Sequence, residues 1–294
     1  MKKDRVALLA GFMPPLCMAL LMGAEYMIDS GRLQSDLLTA ALAETAAFLL
    51  PFGILLFLRR LGGEDRSQLR LKRSVGRSKS FVLFISLATP IAAFLLNVLI
   101  SAVLGQDVGA RQGVLALQRS IGGDSIWQGL LVAVVLPAVV EELFFRSALF
   151  GCMESAGTSA AILTTAFSFA MVHGSSSNLA GPLLAGLIFG YLCYALGSVW
   201  PTVFGHLVSN LYAWGVAYFA DVYETFSLWG YFILANVVAL CVLLYLAMRS
   251  LEKLIERGKI PRFKKGGLEK LVFSFLSPGF LLLVLLFVLK SFYL

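Results

Sequence analysis

Charge is scarce in this chain: 14% of its 294 residues are Asp, Glu, Lys or Arg, 59% are hydrophobic, and the mean hydropathy is +0.85. That balance excludes an ordinary soluble domain. Histidine is scarcer still, with His173 and His206 the only two. The four cysteines, Cys17, Cys152, Cys193 and Cys241, lie in or beside apolar stretches without paired spacing. They read as small packing residues, neither a disulfide framework nor a zinc site. No soluble domain, low-complexity tract or internal repeat breaks the apolar pattern. Neither basic loop interleaves aromatics with its charges, which argues against nucleic-acid binding.

What fills the chain instead is a series of apolar runs, each near the roughly 20 helical residues needed to cross a hydrocarbon core. They fall near residues 6–28, 37–58, 81–104, 126–151, 158–173, 179–196, 199–220, 228–248 and 271–294. The pattern predicts an all-α, polytopic transmembrane helix bundle of about 8–9 spans, with residues 1–294 as a single integral-membrane domain. Lys2-Lys3-Asp4-Arg5 precedes a run without a small-residue cleavage site and reads as the start of an uncleaved first span. Most remaining Lys and Arg residues cluster in two basic loops, 59–80 and 249–270. With alternating spans these share a side with the N-terminus, which the positive-inside rule makes cytoplasmic. The net charge of +7 then reflects topology and contact with anionic lipid headgroups.

Against this apolar background, Glu141 and Glu142 stand side by side in the fourth run, with Arg146 one turn on. A charged side chain at bilayer depth costs at least about 2.5–3.5 kcal/mol on insertion scales, so such groups face a protein interior or wet cavity and tend to be functional. Helix neighbours differ by roughly 100° while residues four apart share a face. Arg146 therefore lies beside Glu142 and away from Glu141, so Glu142 can be charge-compensated while Glu141 stays free to act as an acid or base. The bland alternative, an ion pair that locks helix packing, explains Glu142 and Arg146 but leaves Glu141 unexplained. Pro137, four residues before Glu141, is expected to kink the helix and release the Ala133 carbonyl.

His173 ends the run Phe169-Ala-Met-Val-His173, and His206 is followed four residues later by Asn210 on the same face. Taken alone, each histidine reads equally well as a helix-to-helix hydrogen-bonding residue. An imidazole and a carboxamide on one stripe can also donate hydrogen bonds to an oxyanion, or supply a metal ligand with its supporting shell. Gly186 and Gly190 form a small-xxx-small pair suited to close helix approach. Glu25, Glu44, Asn97 and Asn236 lack such company and are expected to make interhelical hydrogen bonds, outside the site.

The ordered set Glu-Glu-x-x-x-Arg, Phe-x-x-x-His and His-x-x-x-Asn on successive apolar segments, with Gly197-Ser-Val-Trp-Pro201 leading into the third, resembles the CPBP family of intramembrane proteases, also called Abi proteins. That family includes the type II CAAX prenyl endopeptidases. The resemblance spans residues 136–210, within an expected catalytic core of about 126–220. It implies an endopeptidase acting on a membrane-associated, prenylated or leader-type peptide or protein. Glu141 and His173 would activate a water, His206 and Asn210 would stabilise the tetrahedral oxyanion, and Glu142 and Arg146 would support the site.

No cofactor is expected. Zinc held by Glu141, His173 and His206 is the alternative, although the His-Glu-x-x-His spacing of common zinc peptidases is absent. A straight-helix ruler puts Glu141 near mid-membrane, His173 near the outer end of its span and His206 nearer the inner end. A shared site then requires the helix over residues 158–173 to start deep, or the helices to tilt strongly.

Two other classes compete. A non-catalytic membrane scaffold or regulator, of the bacteriocin-immunity kind, would keep the pocket for binding. A proton-coupled transporter would use buried Glu and His as a relay, yet the polar residues crowd into one segment with no matching half. The short loops look bacterial, which suggests an integral protein of the plasma membrane with its N-terminus in the cytoplasm. The sequence leaves the oligomeric state open.

Overall fold

The computed structural model describes residues 2–34, 36–63, 69–72, 78–104, 126–173, 178–218, 227–261 and 267–293. All regular structure among them is helical. The polar connection 105–125, with Arg111 and Arg119, and parts of both basic loops lie outside the described residues.

Helices α1 (Lys2–Ala10) and α2 (Met13–Asp29) meet at Gly11-Phe12, and Pro14-Pro15 open α2, where a missing N–H leaves no helical bond unmade. Helix α3 (Leu37–Leu61) starts at Asp36, whose carboxylate accepts the Thr39 N–H at 2.7 Å, and that bond lowers the Asp36 pKa from its ordinary value. Helix α4 covers Lys79–Leu104. Glu141 and Glu142 lie on α5, a continuous helical run over Ile126–Ala156. Helices α6 (Thr158–Val172), α7 (Ala180–Leu196) and α8 (Trp200–Tyr218) carry the remaining motifs. Helix α9 (Trp229–Glu256) follows, and α10 (Leu268–Phe275) and α11 (Pro278–Tyr293) close the chain.

Five of these helical stretches are long and apolar enough to cross a membrane, namely Arg5–Asp29, Leu37–Leu61, Lys79–Val103, Ile126–Ala156 and Trp229–Glu256. The pair α10–α11, bent by 48°, makes a sixth if counted as one span. The expected eight or nine spans are therefore corrected to five or six. The difference lies in the motif-bearing helices. At 1.5 Å per residue, the 15 residues of α6 and 17 of α7 reach only about 22 and 26 Å, short of a hydrocarbon core of about 30 Å. Helix α8 has 19 residues, but Pro201, His206, Ser209 and Asn210 dilute its hydropathy.

Why these helices looked like spans is clear from their burial. Helix α6 buries Ala160, Ala161, Ala166, Phe169 and Val172 on several faces, whereas α9 exposes Leu234, Val238, Val242 and Tyr245. A helix apolar all round serves equally as a protein core or a lipid-facing span.

Helix α5 runs through the centre of the packing. On α3, Phe48, Pro51 and Leu55 are buried, and the Phe48 ring lies 6.0 Å from both Phe144 and Phe145 of α5. Phe145 in turn packs edge-on against Phe169 of α6 at 5.2 Å. Helix α7 lies on α6 through Gly186 and Gly190: a Cβ at Gly186 would sit 2.9 Å from the Ala166 Cα, so the small-xxx-small pair does bring two backbones together. Gly157 at φ 115° and Gly197 at φ 62° turn the chain before α6 and after α7, in conformations an L side chain rarely adopts.

The remaining buried polar groups tie helices to one another. Asn97 of α4 donates to the Asn178 Oδ1 at 2.6 Å and accepts the Gly181 N–H at 3.1 Å, and Tyr212 of α8 donates to Asn236 of α9 at 2.7 Å. Lys290 of α11 pairs with Glu25 of α2 at 2.7 Å. None of the four cysteines is in a disulfide.

Candidate active site

Glu141 and Glu142 leave α5 in different directions and acquire different partners. The Glu142 Oε2 lies 3.3 Å from the Arg146 Nε, the i,i+4 pair read from sequence, and both side chains are fully enclosed. Its other oxygen, Oε1, lies 3.1 Å from the His206 Nδ1. The Thr202 hydroxyl, one turn before His206, donates to the Val199 carbonyl at 2.7 Å. One carboxylate thus joins α5 to α8, and it engages the imidazole as well as the guanidinium.

Arg146 is held by aromatic faces. Its guanidinium lies 4.4 Å from the centroid of Phe169, 5.5 Å from Phe145 and 5.9 Å from Phe189. Nη1 and Nη2 find no hydrogen-bond acceptor among the described residues, so cation–π attraction and the Glu142 charge carry the compensation. Phe189 also stacks on His206 at 6.0 Å, and Gly205 makes room for it, since a Cβ there would meet the Phe189 ring at 2.8 Å.

Glu141 faces the other histidine. Its Oε2 lies 3.9 Å from the His173 Nε2 and meets no hydrogen-bond donor among the described residues. His173 caps the end of α6, with its side chain 33% exposed, and its Nδ1 lies 2.7 Å from the Phe169 carbonyl. A carbonyl only accepts, so Nδ1 carries the hydrogen and the neutral ring presents its lone pair at Nε2, toward Glu141. Phe169 fixes that tautomer with its carbonyl while its ring touches Arg146, His173 and His206.

Among the described residues, Asn210 bonds to none of these five ionisable groups. It is half-buried one turn beyond His206, and its Nδ2 lies 3.4 Å from the Val134 carbonyl. Val134 belongs to a π-helical turn, Leu131–Val135, directly before Pro137. The expected disruption at Pro137 therefore takes the form of a widened turn that accommodates the ring. The carbonyl that Asn210 meets is that of Val134, the residue after Ala133, whose carbonyl Pro137 was expected to release.

Glu141 and His173 are brought to a similar height along their two helices. Helix α5 runs on to Ala156, five residues past the expected end at Gly151, so Glu141 and His173 are equidistant in sequence from the turn at Gly157, about 24 Å along either helix. Helix α8 begins partway along α5. The Ser147 hydroxyl donates to the Leu69 carbonyl at 2.7 Å, the Val199 N–H to the Arg70 carbonyl at 2.9 Å, and the Trp200 indole N–H to the Leu71 carbonyl at 2.8 Å. Arg70, in the left-handed region at φ 54°, anchors this strip through Glu154 at 2.9 Å and the Phe150 ring at 4.7 Å. Helix α8 thus starts level with Ser147, and six residues, about 9 Å, bring His206 to Glu142.

One site neighbour was set aside on sequence grounds. Glu44 of α3 hydrogen-bonds through its carboxyl group to Glu141. The available signal was an acid in an apolar helix with no cation a turn away. Its partner lies on another helix, beyond the reach of i,i+4 reasoning.

Among the described residues, no three His, Cys, Asp or Glu side chains are grouped to hold a metal ion. Glu141 and His173 face one another, while the His206 Nδ1 is engaged by Glu142.

No curated protein and no solved structure matches the chain. The family model described as Type II CAAX prenyl endopeptidase Rce1-like matches residues 123–212, so that part of the 294-residue chain is similar to a CAAX-protease (Abi, CPBP-like) domain, and together with the membrane-length helices it supports a CAAX-protease-like intramembrane hydrolase in general.

Proposed function

We propose that this protein is an intramembrane endopeptidase that hydrolyses a peptide bond of a membrane-associated precursor. The observation that carries the reading is the opposition of the Glu141 Oε2 and the His173 Nε2 at 3.9 Å, with the His173 Nδ1 committed to the Phe169 carbonyl. Two acceptors at that separation suit a water that donates one O–H to each. As the water oxygen bonds to the substrate carbonyl carbon, one of its protons passes to Glu141 and the carbonyl electron pair moves onto oxygen. Collapse of the tetrahedral intermediate breaks the C–N bond, and the proton held by Glu141 goes to the departing amine.

His206 and Asn210 would donate to the oxyanion. With Nδ1 on Glu142, His206 has Nε2 left for substrate, and the doubly protonated ring this role requires has its charge balanced by Glu142. For Asn210 the role requires its amide to leave the Val134 carbonyl, where a 3.4 Å contact is already long. Arg146 holds Glu142. Metal-independent water activation is preferred over zinc held by Glu141, His173 and His206 because the sequence lacks the His-Glu-x-x-His spacing of common zinc peptidases. Arg59 bonds to the Ala148 carbonyl, Arg70 pairs with Glu154, and Leu254 and Ile260 pack with Phe81 and Leu196, so these basic ends lie on one face whatever the span count, and the positive-inside rule makes that face cytoplasmic.

The test is a comparison of peptide termini in membranes carrying the wild type or Glu141→Gln. The variant should accumulate in the membrane normally and lose a specific set of new termini. Identical termini in both samples would overturn the assignment and leave a binding scaffold as the reading.

A further inference from the structure

The region matched to a protease family begins at residue 123, and Glu44 lies far outside it. Helix α3 carries Glu44, Phe48, Pro51 and Leu55 at i, i+4, i+7 and i+11, one stripe turned toward α5. Phe48 is wedged on Phe144 and Phe145, and one turn earlier this stripe delivers the Glu44 carboxyl against that of Glu141. The Glu44 Oε1 is buried and finds no donor among the described residues, while the Glu141 Oε2 is the oxygen turned toward His173. Thr45, the hydroxyl next in sequence, is turned back onto the Ala41 carbonyl at 2.6 Å. Two carboxyl groups, acceptors on both sides, make a hydrogen bond only when one hydrogen sits between them.

We infer that Glu44 is a positioning residue: its carboxyl group shares a hydrogen with Glu141 and holds that side chain so that its remaining oxygen faces His173. The inference rests on the protease reading. Without a partner at position 44, the Glu141 carboxylate is free to rotate away from His173. Displacement of a reacting group by about 1 Å can cost on the order of 100-fold in rate. The other groups around the pair are Cys17 from α2, His173 from α6, His206 from α8, and Glu142 and Arg146 from α5.

The experiment uses the full-length protein in cell membranes and follows the rate at which Glu141-dependent peptide termini appear after induction. Glu44→Ala and Glu44→Leu should slow them about 10- to 100-fold, with unchanged protein level and unchanged thermal unfolding midpoint in detergent. Glu44→Gln keeps an N–H donor for Glu141 and should stay within about 3-fold of wild type. Adding Glu44→Ala to Glu141→Gln should change nothing further. Wild-type rates in Glu44→Ala, or equal impairment of Glu44→Gln and Glu44→Ala in folded protein, would overturn the inference while leaving the protease reading intact. Identical termini in wild type and Glu141→Gln would overturn that reading itself, whatever position 44 does.

Discussion

A guanidinium enclosed by Phe145, Phe169 and Phe189 and balanced by Glu142 is a buried ion pair, for which partner loss is costlier than joint replacement. Arg146→Met should destabilise the protein by about 3–5 kcal/mol, read as a lower unfolding midpoint in detergent, because Glu142 would keep its charge with only His206 beside it. The double variant Glu142→Gln with Arg146→Met should recover most of that stability and remain inactive, since the His206 Nδ1 would no longer face a carboxylate. Recovery of processing in the double variant would show that Glu142 serves packing alone. At Glu141, Gln should abolish processing at normal protein level, because an amide cannot take the proton from water.

At the scale of the element, the α6–α7 contact sets where His173 stands. Gly186→Val would drive a side chain into the Ala166 backbone, and a strain of about 1–3 kcal/mol is expected, with α6 and His173 displaced and processing reduced. Gly190→Ala meets Ile162 at 3.3 Å and should be milder. A third outcome concerns α3. The Asp36 carboxylate is ionised at lower pH in the folded chain than in an unfolded one, so its contribution to the start of α3 is full above the ordinary carboxylate range and fades as pH falls through the depressed folded value. The protection factor of the Thr39 amide, its exchange rate corrected for the intrinsic pH dependence, should fall over that acid window, and Asp36→Ala should show low protection at every pH. Unchanged exchange in the variant would remove the capping role.

The i,i+4 pairing of Glu142 with Arg146 was legible because a helix determines which neighbours share a face. The His206 bond to the same carboxylate was not, because it depends on where α8 begins, and that is decided by the carbonyls of Arg70 and Leu71. Glu44 was recognisable as a buried acid that needed a partner on another helix. Which helix lay beyond one-dimensional reasoning, and the partner proved to be Glu141.

Across the whole molecule, hydropathy identified the helical, membrane-embedded class but overcounted the spans. Helices α6 and α7 are apolar because protein surrounds them, and nothing in their composition separates that from lipid. The charge pattern makes an independent statement about orientation. A Lys259→Cys variant without other cysteines should react with an impermeant reagent only from the cytoplasmic side of vesicles, and labelling from the opposite side would invert the assignment. Chelation tests the chemistry at the same scale: a metal-independent protein should keep its processing activity after prolonged dialysis against a zinc chelator. Loss on chelation and return with added zinc would instead favour Glu141, His173 and His206 as ligands.

Because α8 hangs from the carbonyls of Arg70 and Leu71, the smallest transplantable unit of this site exceeds the stretch that sequence similarity marks. A fragment of residues 123–212 would carry Glu141, Glu142, Arg146, His173, His206 and Asn210. It would lack the stop that sets the height of His206 and the carboxyl that meets Glu141. Grafted into a foreign helix bundle, it would bring every rung of the ladder and lose the rail that keeps them level.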